Sequence, residues 1–168
     1  MKLIVAVDNK WGIGRDNDLL FSIPEDMKFF RTTTLNKVVI MGRKTLESFP
    51  GGNPLKNRVN IVITNDSSYH KEGAVIVHSL SEVKDAIKDY NSDDVYVIGG
   101  ASIYELMYDY CDEAYITMVK KDGNADKFMV DLSKKDNWNL ISESETKKTD
   151  DGTEFAFCTF GNSDVKSF

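Results

Sequence analysis

The chain has 168 residues, 41% hydrophobic and 29% charged, with a formal net charge of −6, enough for one domain with a real core. Its acidic balance, with a sequence pI of about 5.0, argues against nucleic acid or an anionic membrane as the main partner. Cys111 and Cys158 have no short-range partners, which excludes a disulfide framework or zinc site and leaves buried thiols in a reducing compartment.

The first element is an apolar run over residues 3–7 that stops at Asp8, too short for a signal sequence. It reads as a buried strand. No run approaches a membrane span, and the expected location is cytoplasmic. Residues 9–22 read as a glycine-containing loop. Gly12-Ile13-Gly14 resembles half of a dinucleotide fingerprint, but Asn17 stands where the third glycine belongs and no helix pattern starts there. A helix follows over about 24–34. Ser22 and Glu25 form a capping-box pattern, and Pro24 suits a first helical turn. Asp26 lies at that helix start, one turn before Phe30 and flanked by Phe29. It reads either as a surface carboxylate favoured by the helix dipole or as a desolvated one suited to proton chemistry or to a cationic ring.

Two strand-to-helix junctions come next. Val38-Val39-Ile40-Met41 breaks at Gly42 into Arg43-Lys44-Thr45, and Val95-Tyr96-Val97-Ile98 breaks at Gly99-Gly100 into Ala101-Ser102. Glycine lets backbone approach a ligand closely, and helix starts leave N–H groups for an anion. One junction has cations and the other only small residues. The pair therefore points to a phosphorylated, dinucleotide-type cofactor at the carboxyl ends of the strands, while solvated charges on a surface turn remain the alternative for Arg43 and Lys44. Between the junctions, residues 59–64 and 75–77 read as strands. Leu80, Val83, Ile87 and Tyr90 mark an amphipathic helix over 80–90. After a helix over about 101–110, strands are expected at 114–119 and 153–160, separated by a loop rich in Lys and Asp.

The expected fold is α/β: a mainly parallel sheet with an antiparallel C-terminal edge hairpin and helices on both faces. It spans 1–160 as one domain, with 161–168 a frayed polar tail. His70 and His78 fall outside any nucleophile or metal constellation, and no metal is expected.

Taken together, IVAVDNKWGIGRDNDLLFSIPEDMKFFRTTT (4–34), KVVIMGRKTLESF (37–49) and VYVIGGASIYELM (95–107) closely resemble the dihydrofolate reductase family. The resemblance covers nearly the whole chain, in order. It implies reduction of dihydrofolate by NADPH in a cytoplasmic monomer that binds antifolates. Asp26 would then face the pterin, supported by Thr117. Ile4, Val5, Met27, Phe30, Phe49, Leu55 and Ile98 match substrate-packing positions, and Arg58 matches the arginine that clamps a glutamate-tail carboxylate. Gly42, Arg43, Lys44 and Thr45 match the group around the 2′-phosphate and pyrophosphate, with Thr64, Asn65 and His78 near the adenosine end. Gly99, Gly100, Ala101, Ser102, Ile103 and Tyr104 match the second glycine turn. Ala6, Ile13, Gly14, Asn17, Asp18 and Leu19 match positions around the nicotinamide, many on a closing loop.

Four departures from the family pattern stand out. Phe21 replaces the usual Trp, Leu20 a common Pro, and Ala125 a frequent Gly, while Lys56-Asn57 replaces Pro-Gly before Arg58. Two other readings stay open: a reductase of the same architecture acting on another pterin or a pyrimidine intermediate, and a non-catalytic folate- or nucleotide-binding protein.

Overall fold

The computed structural model describes residues 1–168. Its strands are β1 (Lys2–Val7), β2 (Gly12–Arg15), β3 (Asp18–Leu19), β4 (Val38–Gly42), β5 (Val59–Ile63), β6 (Ala74–Val77), β7 (Val95–Gly99), β8 (Glu113–Val119), β9 (Lys127–Phe128), β10 (Trp138–Glu143), β11 (Lys147–Lys148) and β12 (Glu154–Asn162). The helices are α1 (Pro24–Thr34), α2 (Arg43–Ser48), α3 (Leu80–Ile87) and α4 (Ala101–Met107). The main sheet runs β10-β12-β8-β1-β7-β4-β5-β6, with β11 also on β12. Its β8-to-β6 part is parallel, and β12 joins β8 and β10 in antiparallel fashion.

Alternation along the strands assigns the two faces. Val38, Ile40, Ile61 and Ile63 turn to one side, where Val83 of α3 and Ile103 and Met107 of α4 complete the main core. Val39, Met41 and Val62 turn to the other, where they meet Leu46 of α2. Phe29 of α1 packs on the same side, against Tyr115 and Phe157. The helices therefore cover both faces, as the alternating order predicts. Each fully buried aliphatic contributes roughly 1.5–3 kcal/mol, so Leu46, at 0% exposure, is the anchor of the short α2.

The helix α1 has the expected bounds but not the expected cap. Ile23 is its N-cap and no side chain caps it. The helix starts one residue later than a Ser22–Glu25 box needs, so Asp26, not Glu25, occupies the third helical position. Glu25 pairs instead with Lys147 at 3.3 Å. At the other end Asn36 takes φ 61°, a left-handed angle that stops a helix and that Asn tolerates.

The antiparallel C-terminal end is present as expected, with one strand more at its edge. The strands at 114–119 and 153–160 do pair, but β10 lies outside them and forms the edge. The helix expected over 80–90 ends at Ile87, and the one over 101–110 becomes a 3₁₀ turn at Tyr108. Nor does the tail fray from residue 161. Gly161 and Asn162 continue β12, the Lys166 ammonium meets Asp109 at 2.7 Å, and Phe168 stacks on Tyr110 at 4.6 Å. Both cysteines are free and buried; burial pushes the Cys111 thiol up to about 12 and the Cys158 thiol up to about 11.

Candidate active site

Parallel strands carry ligands beyond their carboxyl ends. Here Ala6, Gly42, Gly99 and Met118 stand at or near those ends. On one side of this opening α1 lays its first turn across β8. The Thr117 hydroxyl donates to Asp26 Oδ1 at 2.6 Å. Burial pushes the Asp26 carboxyl above its ordinary range, and the Thr117 bond offsets part of that rise. Asp26 is thus a half-buried carboxylate with a buried partner rather than a freely solvated one. Phe29 packs on the neighbouring aromatic residues of the sheet. It lines, with Thr33, Tyr115, Thr117 and Phe157, a cavity of about 630 Å³ between α1 and the antiparallel end of the sheet.

The other residues matched to the substrate side come from several elements. Phe30 lies one turn along α1 and is half-buried, whereas Met27 is 56% exposed. Phe49, Leu55 and Ile98 pack together around Val39, Met41 and Leu46. Ile4 is buried, and its carbonyl accepts the Tyr104 hydroxyl at 2.7 Å. Val5 points with Leu3 and Val7 into the opposite core, so only its backbone is offered on this side. Arg58 reaches the end of α1: Nε donates to Thr34 Oγ1 at 3.2 Å, and other guanidinium N–H groups donate to the carbonyls of Lys56 (3.1 Å) and Arg31 (3.4 Å). Two of its five donors remain free, the number a carboxylate fork takes. The segment before it is fixed by the buried Asn60 amide, which accepts from Leu55 N and donates to Leu55 O.

The opposite side is built from backbone. A Cβ added at Gly42 would lie 3.1 Å from Ile103 Cγ1, and one at Gly100 would lie 3.4 Å from Thr45 Oγ1. The two glycine turns therefore face each other. Gly42 and Gly100 are the N-caps of α2 and α4, and no side chain caps either helix. Gly99 adopts φ 129°, a left-handed-side angle that L residues avoid. Ile103 and Tyr104 are buried behind these turns, Ala101 is half-buried and Ser102 exposed.

Cations and donors gather farther out. Arg43 sits over the Tyr69 ring at 5.9 Å and 3.7 Å from Glu47, while Lys44 is exposed. His78 Nδ1 lies 2.7 Å from the Thr64 carbonyl, and Asn65 is exposed beside it. Hydrogen bonds from Ser68 hold the Asp66 carboxyl below its usual range, with smaller contributions from Arg43 and His78. Arg43, Thr64 and His78, distant in sequence, thus share one patch.

Residues 9–22 are not a plain loop. The strands β2 and β3 form a hairpin, and β2 also pairs with β9. Asp16 (φ 52°) and Asn17 (φ 62°) make its two-residue turn, and both types tolerate positive φ. Ile13 packs on the main core, while Asn17, Asp18 and Leu19 are exposed, Leu19 to 76%. Two polar residues went unmarked in the sequence. One is Asn60. The other is Asp8, which reads only as the residue that stops an apolar strand, yet is fully buried.

The chain matches the family model described as "Dihydrofolate reductase" over residues 1–162. It is 35% identical over 148 residues to the dihydrofolate reductase of Bacillus subtilis, covering 88% of this chain and 85% of that one. A Staphylococcus aureus dihydrofolate reductase is 32% identical over 153 residues, 91% of each chain. The Enterococcus faecalis dihydrofolate reductase complexed with NADP(H) and RAB-propyl superposes with a TM-score of 0.84 at 29% identity, over 97% of this chain and 96% of that one. With the carboxylate, the facing glycine turns and these likenesses in agreement, the chain belongs to the dihydrofolate reductase family.

Proposed function

We propose that this chain reduces 7,8-dihydrofolate to tetrahydrofolate in one cleft, with Asp26 serving the substrate half and the two glycine turns the NADPH half. The observation that carries this reading is the Asp26 carboxylate at the third position of α1, held by Thr117 at 2.6 Å and desolvated by its surroundings. Asp26 accepts paired hydrogen bonds from the amidine-like edge of the pterin, a bidentate and charge-assisted geometry. Its charge favours protonation of the ring nitrogen beside the carbon that is reduced, with water as the proton's source. Ile4, Met27, Phe30, Phe49, Leu55 and Ile98 pack on the ring and its linker, Val5 contributes backbone, and Arg58 clamps a carboxylate of the glutamate tail.

NADPH supplies the hydride when bound. The residues fit it, because the turns at Gly42 and Gly100 face each other and open two helices whose first N–H groups no side chain caps. Arg43, Lys44 and Thr45 hold the 2′-phosphate and pyrophosphate, with Thr64, Asn65 and His78 at the adenosine end. The turn Gly99–Tyr104 lies along the pyrophosphate and nicotinamide. Ala6, Ile13, Gly14, Asn17, Asp18 and Leu19 border the nicotinamide and exclude water there. The reading needs no residue from a second copy of the chain, and a monomer is the form we propose. No helix is long and apolar enough to cross a membrane, and with an acidic chain carrying free thiols this supports a cytoplasmic enzyme.

The test is the loss of NADPH absorbance on adding dihydrofolate to purified protein, with and without an antifolate. Turnover that the antifolate abolishes is expected. Folded protein that binds NADPH without turning over dihydrofolate would overturn the reading and favour another pterin or a binding role.

A further inference from the structure

A charged carboxylate at 0% exposure needs partners, because burial without them costs several kcal/mol. Asp8 finds them in backbone. Its Oδ1 accepts Lys10 N at 2.9 Å and Gly12 N at 2.7 Å, and its Oδ2 accepts Gly123 N at 2.9 Å. The first two belong to the segment that leads into β2, while Gly123 comes from a loop more than a hundred residues away. Gly12 is sterically required at this junction, and Gly123 is closely packed. A Cβ on Gly12 would lie 2.4 Å from Ala125 Cβ and 2.9 Å from Asp8 Oδ1. One on Gly123 would lie 2.9 Å from Leu20 Cδ1 and 3.0 Å from Phe21 Cζ. Both ends of the 9–22 segment therefore converge on residues 123–125, with the Asp8 carboxylate between them. Two other side-chain bonds join these segments, Lys10 Nζ to Asp122 Oδ2 at 2.8 Å and Asp16 N to Asp126 Oδ2 at 3.0 Å, and both are exposed and open to competition from water.

We infer that Asp8 is a positioning residue: its carboxylate latches the segment carrying Ile13 and Gly14 to the loop at Gly123 and so sets how firmly that segment covers the cofactor. The inference rests on the proposal above that Ile13 and Gly14 border the nicotinamide. Asp8 itself ends β1 and acts through β2.

Asp8→Asn isolates the inter-segment bond. The amide oxygen still accepts from Lys10 and Gly12, but an NH₂ group then faces the Gly123 N–H, donor against donor. The Gly123 amide proton should move upfield while that of Gly12 stays in place. NADPH release should quicken and single-turnover hydride transfer should slow, each by about tenfold, the size of one lost hydrogen bond to a charged acceptor. The KM for dihydrofolate should stay within about twofold. Release of the Gly123 amide with both rates within about twofold of wild type would overturn the latch and leave the cofactor assignment standing. If NADPH added to wild type leaves the Ile13 and Gly14 amide signals unmoved, the cofactor assignment fails and the latch falls with it. Should the variant not fold, hydrogen exchange on wild type decides: Gly12 and Gly123 amides should open at one common rate, and widely different rates would overturn the proposal.

Discussion

The two halves of the proposed cleft are made in opposite ways. The substrate half is made of side chains: Asp26 on α1, Thr117 on β8 and Arg58 beside the end of α1, each aimed by a hydrogen bond. The proposed cofactor half is made largely of side chains left out, at Gly42, Gly99 and Gly100, with Arg43 and His78 as its assigned cationic and polar groups. A side chain brings one chemistry, and its loss should remove one function. A missing side chain brings space and free N–H groups, which many contacts share. Damage should therefore be steep and local on the substrate side and shallower on the cofactor side.

The largest effect expected is that of Asp26→Asn. The amide keeps the shape but loses the charge and one acceptor, so turnover at neutral pH should fall by roughly 10²–10⁴, the range for lost acid–base assistance. NADPH affinity, measured by fluorescence titration, should hardly change. Near-wild-type turnover would remove Asp26 from the chemistry, and a parallel loss of NADPH binding would erase the division between the halves. Stability should move the other way. The folded carboxyl is raised, so the ionised form subtracts stability as pH climbs past the ordinary Asp range and through the folded value. The Asn variant escapes that loss and should melt higher than wild type at pH 7, with the gain vanishing in acid.

Arg43→Ala tests the cofactor half and should cost less. One charge-assisted bond to a 2′-phosphate is worth about 1.5–3 kcal/mol, which corresponds to roughly a tenfold to hundredfold weaker NADPH. NADH lacks that phosphate and should bind as before. Equal losses for both cofactors would show that Arg43 serves only its neighbours Glu47 and Tyr69.

The same contrast explains how much was legible beforehand. The residues around Asp26 leave a surface and a desolvated carboxylate both open, and the family resemblance is what points to the second, whereas the bounds of α1 follow from Pro24 and from where the helix stops. The glycine junctions were readable as junctions, but their facing arrangement depends on β7 pairing with β4, a relation fifty-odd residues long. The strand β10 left no periodic mark. Its register slips between Leu140 and Ser142, and Leu140 and Ile141 are 50% and 64% exposed, so no alternation survives. The hairpin at Asp16-Asn17 lacks the Asn-Gly or Asp-Gly signature of such turns. Asp8 was invisible for another reason: its partners are backbone N–H groups, one of them at Gly123, and backbone groups carry no sequence label.

Thr117→Val makes the finest cut, because it leaves Asp26 in place and removes only its donor. The hydroxyl hydrogen bond favours the ionised carboxylate, so its loss should raise the Asp26 pKa further above the ordinary range. The bond is worth about 1.5 kcal/mol at the low end for a charged acceptor. That difference should appear only once Asp26 ionises. Below the unfolded-state value both proteins bind the proton, and valine, isosteric with threonine and set in a buried strand, should match wild type in melting temperature. As pH rises through the folded pKa, the variant has farther to fall, because its folded carboxyl gives up the proton more reluctantly than its unfolded one. The melting curves should therefore coincide in acid and separate toward neutrality, with wild type higher. A constant gap at all pH values would mean that Thr117 merely fills space in β8, and that burial alone tunes the carboxylate at the centre of the substrate half.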